Sequence, residues 1–360
     1  MTMDLTSYRT LGRSGLVVSP MALGAMTFGK ERWGIDQAGA GAIMDFYIEA
    51  GGNFIDTAEA YADGRSEEIV GRYIAERGLR DRMVLATKFS WNRDKGNPNA
   101  GGNGRKNIHR AVEGSLKRLG TDYIDLYWLH FWDMVTPVEE VLDSLVDLVR
   151  AGKIRYFALS DVPAWYMTKM AVIARERGVP GPIALQLEYS LVERTIENEH
   201  IPSAVDQGIA VMPWSPLAGG FLSGKYRRSD ESTGGFSGDG RLARDNPFGS
   251  SKFIERNWAL LDVLEQVATA MEHSPAEVAL AWLLRRPGVT STITGASRPE
   301  QLGTNLSALG IDITDEHADR LEKASAPVPV FPYAAFNATV NRTIFGGTSV
   351  TGWTGQSVIS

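Results

Sequence analysis

A (β/α)₈ barrel is the fold this 360-residue sequence predicts, and three observations lead there. Eight apolar, strand-like runs alternate along the chain with amphipathic helical runs. The strand runs are apolar almost throughout instead of at every second residue, which marks strands buried on both faces, as in a parallel sheet covered by helices. An open doubly wound sheet would carry the turn G-x-G-x-x-G after its first strand. This chain has "GAMTFGKERWG" there instead, so the barrel is preferred.

Taken in order, "YRTLGRSGLVVS" reads as an N-terminal β-hairpin, with Gly12 and Gly15 in its turn. The strand runs follow at 20–26, 53–58, 83–89, 123–131, 155–160, 183–190, 209–216 and 291–296. Between them, "NIHRAVEGSLKRLG" and "VEEVLDSLVDLVRAGK" show apolar residues at three- and four-residue spacing, and each closes on a glycine of the kind that ends helices. Eight such units make one barrel domain of ordinary size, with the hairpin and barrel occupying residues 8–325. Residues 227–252, rich in Gly, Ser and charge, predict a mobile loop after the seventh strand. Residues 327–360 form a C-terminal tail, too apolar for a linker and expected to lie back on the barrel over the mouth of the site.

Composition narrows the function. At 43% hydrophobic and 22% charged residues the chain has material for a large core and a solvated surface. A net charge of −6 with interspersed signs disfavours nucleic acid and anionic membranes as partners. No cysteine is present, which excludes disulfides, thiolate catalysis and cysteine-ligated zinc and fits a reducing cytoplasm. The N-terminus has no apolar signal core and no run is long enough to span a bilayer, so a cytoplasmic location is expected.

In a barrel of this kind catalytic groups stand at the C-terminal ends of the strands. Polar residues repeatedly close the apolar runs there: Asp56, Lys88, His130, Ser160 with Asp161, Gln186, and Trp214 with Ser215. Singly, each has a plainer reading as a cap, a solvated strand end or a core side chain. The case rests on the set. Tyr61, five residues beyond Asp56, adds a phenol. A phenol with a pKa near ~10 is a poor acid at neutral pH. A lysinium about 4 Å away favours the phenolate by roughly 4 kcal/mol at an effective dielectric of ~20. Asp56 would keep that lysine charged, and His130 would donate to a carbonyl oxygen. Such a site delivers a proton to an oxygen gaining charge. It holds neither a nucleophile nor a metal set, so the electrons must come from elsewhere. "ITGASRPEQLGTNLSAL", a strand running through Gly295 into a helix opened by Ser297 and Arg298, reads as a phosphate site. Trp214 offers a flat face to a nicotinamide ring.

Over residues 8–325 the chain resembles the aldo-keto reductase superfamily. "NFIDTAEAYADGRSEEIVG" is similar to its G-x-x-x-x-D-T-A-x-x-Y-G signature, entered through Gly52, and "LYWLHFWD" to its histidine motif. "WSPLAGGFLSGKY" and "ITGASRPEQLGTNLSAL" resemble its cofactor segments. The resemblance implies a reductase that uses NADPH, with Asp56, Tyr61, Lys88 and His130 as catalytic tetrad. Ser160 and Gln186 would hold the carboxamide and Trp214 would stack on the nicotinamide. Ser215, Leu217, Gly219 and Lys225 would line the cofactor, and Gly295, Ser297, Arg298, Gln301 and Asn305 its adenosine end. Its other substrate would be a small carbonyl or alcohol.

Three departures stand out: Asp161 where many members have asparagine, Trp214 where tyrosine is commoner, and Ala62-Asp63-Gly64 where a glycine usually follows the catalytic tyrosine at once. Phe28, Trp33, Trp91 and Trp132 near the rim suggest a bulky apolar substrate. The alternative function is a cofactor-binding regulatory or redox-sensing subunit of the same fold, like potassium-channel β-subunits. "GGFLSGKY" approaches a P-loop, but Tyr226 stands where a magnesium-binding Ser or Thr would follow the lysine. "ENEH" lacks the partner histidine of a zinc hydrolase, and no metal is expected.

Overall fold

A computed structural model describes residues 3–31, 34–228, 236–237, 242 and 252–350. Its centre is an eight-stranded parallel sheet. The strands are β1 (Met21–Gly24), β2 (Phe54–Asp56), β3 (Val84–Phe89), β4 (Ile124–Leu129), β5 (Ile154–Ser160), β6 (Ala184–Glu188), β7 (Ala210–Trp214) and β8 (Thr292–Thr294). They run in chain order around the ring, and β8 pairs with β1. The seam between β7 and β8 is stitched just before β8. There the Val211 amide donates to the Gly288 carbonyl at 2.9 Å, and the Thr290 amide donates to the Val211 carbonyl at 3.0 Å. This is a (β/α)₈ barrel.

Six of the eight strands stop before their apolar runs do, because the run's last residues already belong to the loop that carries the site; β3 and β5 end with theirs. Helices α1 (Gln37–Glu49), α2 (Arg65–Glu76), α3 (Arg105–Leu119), α4 (Val138–Arg150), α5 (Ala164–Arg177) and α6 (His200–Gln207) follow strands one to six in turn. Two helices, α7 (Glu255–Ala270) and α8 (Pro275–Leu284), lie between β7 and β8, and α9 (Pro299–Ser307) and α10 (Asp315–Ser325) complete the ring. None of the described helices is long and apolar enough to cross a membrane.

The physical reason for each helix is local. In α4 the buried residues Val138, Val141, Leu142 and Leu145 recur at helical spacing, while Glu139 and Glu140 sit in the first turn, where the helix dipole favours acids. Helix α8 opens on a reciprocal capping box between Ser274 and Glu277. Gly71 of α2 is required by packing: a Cβ there would lie 2.3 Å from the Leu119 carbonyl oxygen at the end of α3.

Two apolar clusters follow from the two faces of the sheet. Leu23, Ile55, Leu85, Tyr127, Phe157 and Leu185 point outward and pack beneath the helices. Ala22, Phe54, Ala86, Leu126, Trp128, Ala158, Ala184 and Met212 fill the interior. The hairpin, Arg9–Thr10 paired with Val17–Val18, adds Leu11 and Val18 to that interior cluster and so stops the barrel at its N-terminal end. Side chains two residues apart on a strand share a face. Asp56 therefore follows Phe54 inward, Lys88 follows Ala86, His130 follows Trp128, Ser160 follows Ala158, Gln186 follows Ala184 and Trp214 follows Met212. The polar residues are the top layer of the barrel interior, set there by strand parity.

Candidate active site

Four side chains meet at this top layer. Lys88 is fully buried and donates to the Asp56 carboxylate, to the Thr57 carbonyl at 3.0 Å and to the Tyr61 phenol at 3.2 Å. Burial pushes the ammonium down, but the Asp56 charge and Tyr61 outweigh it and hold Lys88 above its ordinary range. Lys88 is therefore a cation in a dry site. His130 packs edge-on to the Tyr61 ring at 5.9 Å. Burial, with the Lys88 charge adding to it, holds the imidazole well below its usual range, so the ring is neutral. Its Nδ1 is buried with no hydrogen-bond partner among the described residues. Tyr61 opens a tight turn, Tyr61–Gly64, in which Ala62 and Asp63 adopt left-handed φ of 49° and 54°. Side chains pin that turn, with Arg93 donating to the Asp63 carbonyl and Arg65 to the Ala62 carbonyl at 3.3 Å. The departure after Tyr61 thus gives a left-handed turn built without an immediate glycine.

A cavity of about 570 Å³ opens over these groups, within the range of small-molecule sites. Asp56, Tyr61 and His130 line it on one side, and Ser160, Asp161, Gln186 and Trp214 on another. Gln186 donates to Asp56 at 3.3 Å, joining the two sides. The Ser160 hydroxyl is buried and has no partner among the described residues. Asp161, at φ 45°, accepts a hydrogen bond from the Trp214 indole at 3.0 Å, so two of the departures are a contacting pair. Burial, with Glu188 adding to it, pushes the Asp161 carboxyl up to about 7 against the opposing indole bond.

The far end of the cavity is lined by Ser215, Leu217, Gly219, Gly220 and Lys225, and by Gly295, Ser297 and Gln301 from the start of α9. Gly219 and Gly220, at φ 66° and 93°, have no room for a side chain: a Cβ would come within 2.6 Å of Leu242 at the first and of Lys225 at the second. The Ser297 amide and hydroxyl both donate to the Gln301 side chain at 3.0 Å, which ties this wall to the helix. Two residues expected at this end stand off the wall. Arg298 is exposed at the N-cap of α9, and Asn305 is buried, donating to the Thr294 hydroxyl at 3.0 Å.

Of the three described aromatic residues expected at the mouth, Phe28, Trp91 and Trp132, Trp91 alone lines the cavity, with Phe131 packed against it at 5.7 Å. Phe28 is corrected to a core residue: it is fully buried in the outer cluster, held by a bridge to Ile35. Trp132 turns the other way and packs edge-on to Trp165 of α5 at 5.7 Å. Trp33 and most of the 227–252 loop lie outside the described residues. The tail also differs from expectation, since no residue of 327–350 is buried and none lines the cavity. It touches the body through the Tyr333 phenol, which donates to Glu199. Its apolar residues are largely exposed, Phe331 at 92%. Residues that sequence reasoning missed include Met26, Thr27 and Ile293; only strand parity and the pairing of β8 with β1 place them at the mouth.

Beneath the Tyr61 loop lies a second acid. Glu59 is 1% exposed, and neither carboxylate oxygen has a hydrogen-bond partner among the described residues. Burial pushes it up to about 7, with Arg110, 3.7 Å away, opposing. A folded value above the ordinary 4.5 means that the native state binds more protons than the unfolded chain between those pH values. Stability then falls as pH rises from 4.5 to about 7. Glu59→Gln is expected to stabilise the fold by about 1–3 kcal/mol near pH ~8, and by much less near pH ~5. Equal gains at both pH values in denaturant unfolding would contradict this.

Comparison with known proteins agrees with this geometry. A norsolorinic acid reductase B of Dothistroma septosporum is 34% identical over 347 residues, covering 92% of this chain and 85% of that protein. An aryl-alcohol dehydrogenase [NADP(+)] of Phanerodontia chrysosporium is 34% identical over 342 residues, covering 89% and 86%. A probable voltage-gated potassium channel subunit beta of Oryza sativa is 36% identical over 322 residues, covering 88% and 95%. The family model for the aldo/keto reductases matches residues 20–326, the whole barrel from β1 to the end of α10, and the chain belongs to that family of oxidoreductases acting on carbonyl groups.

Proposed function

We propose that the protein is an NADPH-dependent reductase of aldehydes or ketones, with Tyr61 as proton donor, and that it also runs in reverse on the alcohol. The observation that carries this reading is the buried chain from Asp56 through Lys88 to the Tyr61 phenol, beside a neutral His130. A neutral imidazole holds no extra proton to give, so His130 orients a carbonyl oxygen by donating its single N–H. Tyr61 then supplies the proton, and the adjacent Lys88 ammonium stabilises the phenolate left behind. Asp56 keeps Lys88 charged throughout.

A nicotinamide cofactor fits the rest of the cavity. The partnerless Ser160 hydroxyl suits a carboxamide, Trp214 gives a flat face, and Gly219 and Gly220 present bare backbone at the cavity wall for phosphates. When bound, NADPH supplies the hydride. Ser160 and Gln186 would hold the carboxamide, and Lys225, Ser297 and Gln301 the far end. Preference for the extra ribose phosphate is assigned to Arg298, exposed beside Ser297, and is supported by the relative whose name carries NADP(+).

Trp91 and Phe131 favour an aromatic or otherwise bulky apolar carbonyl compound as substrate. The absence of cysteine fits a cytoplasmic enzyme. The test follows NADPH absorbance with aromatic aldehydes, diketones and keto-sugars. Saturable oxidation, fastest with the aromatic compounds, is expected. The channel-subunit relative favours a second reading, a regulatory or redox-sensing subunit. NADPH bound tightly, with no carbonyl speeding its oxidation, would decide for that reading.

A further inference from the structure

Asp161 and Trp214 sit at the ends of β5 and β7, with β6 between them, so the bond that joins them passes over one strand of the barrel. An indole N–H is a donor only, and its partner has to accept; an ionised carboxylate does nothing else. The Asp161 backbone is held on both sides. Its amide donates to the Gln186 carbonyl at 3.1 Å, and its own carbonyl accepts from the Trp132 amide at 3.3 Å. At φ 45° it occupies the left-handed region that side chains rarely adopt, and aspartate tolerates it better than most residues. The carboxylate is thus presented to the indole from a fixed backbone, and both side chains line the cavity.

We propose that Asp161 is a positioning residue, which through the indole N–H fixes the plane of Trp214, the flat wall on which the cofactor ring would lie. The proposal rests on the reading of this cavity as a nicotinamide site. A tyrosine at 214 would carry its hydroxyl at the ring tip and offer no edge N–H, so the aspartate and the tryptophan make sense only together. Several groups face the Asp161 carboxyl. Glu188, on β6, raises it and is itself paired with Lys252 at 2.7 Å. Lys88, from β3, lowers it, the Trp214 indole from β7 lowers it most, and His130, from the loop after β4, is neutral. The balance leaves the carboxyl near 7, so its charge changes in an accessible range.

The experiment labels the protein with ¹⁵N at the indole nitrogens, with no nucleotide present. Of the signals from nine tryptophans, the one lost in Trp214→Phe belongs to Trp214. That signal is expected to titrate with a midpoint near 7, to stop titrating in Asp161→Asn, and to move upfield in Asp161→Ala. In NADPH binding, Asp161→Ala is expected to weaken affinity roughly tenfold, the size of one hydrogen bond to a charged group. Asp161→Asn, whose amide oxygen still accepts, should recover to within about threefold, and Asp161→Ala added to Trp214→Phe should cost nothing more. A Trp214 signal indifferent to Asp161 and to pH, or additive losses in the double variant, would overturn the proposal. Wild type that binds no nicotinamide nucleotide while its Trp214 signal titrates would instead refute the reading of the cavity and leave the Asp161–Trp214 coupling standing.

Discussion

Tyr61→Phe is expected to lower kcat by roughly 10²–10⁴-fold while NADPH affinity stays within about threefold. The substitution removes one oxygen and keeps the ring, so the edge contact with His130 at 5.9 Å is preserved. What disappears is the proton that the developing alkoxide must receive. No neighbour replaces it: His130 is neutral, and Lys88 is fully buried behind the phenol and committed to Asp56. Substrate KM should therefore change much less than kcat, the mark of a group used in the transition state. Steady-state kinetics with the best substrate of the panel, alongside nucleotide titration, reads both quantities. Retention of more than about a tenth of kcat would mean that the proton comes from another group.

Lys88→Met is expected to abolish turnover and also to destabilise the fold, by about 3–5 kcal/mol. Lys88 and Asp56 are 0% and 2% exposed, so removing the cation strands a carboxylate in a medium that cannot solvate it. Asp56 would keep Gln186, at 3.3 Å, as its hydrogen-bond donor from another strand. Adding Asp56→Asn should recover most of the lost stability, because a buried pair replaced as a pair costs far less than a buried pair broken. Turnover should not return with it, since the Tyr61 phenolate would still lack its cation. Denaturant unfolding of the two single variants and the double gives the coupling directly. Additive losses of stability would show that the pair is not a closed ionic unit.

Much of this was legible in the sequence. Continuous apolar runs such as 83–89 follow from a strand covered on both faces, and eight of them in alternation with helices leave few architectures open. Asp56, Lys88 and His130 were legible because a polar residue that ends a buried strand breaks a local rule. A charge such as Lys88, fully buried, is retained only where something nearby pays for it. The same continuity hid other information. When both faces of a strand are apolar, the pattern does not say which parity points inward, and aromatic residues just past a strand are equally ambiguous. Phe28 accordingly went to the core and Trp132 to α5, while Trp91 stayed at the mouth.

By itself, then, the chain determined the barrel, the order of its units and the residue types at its rim, because these depend on local periodicity and on strand ends. Tertiary structure alone decided what depends on strands meeting in space. It closed the ring through Val211 and Gly288, which are far apart in sequence. It left the apolar tail exposed, with no residue of 327–350 buried. And it joined Asp161 to Trp214 across β6. Those two residues are each an isolated oddity in sequence. A donor-only indole and an acceptor-only carboxylate become one feature when the barrel brings the two side chains within 3.0 Å.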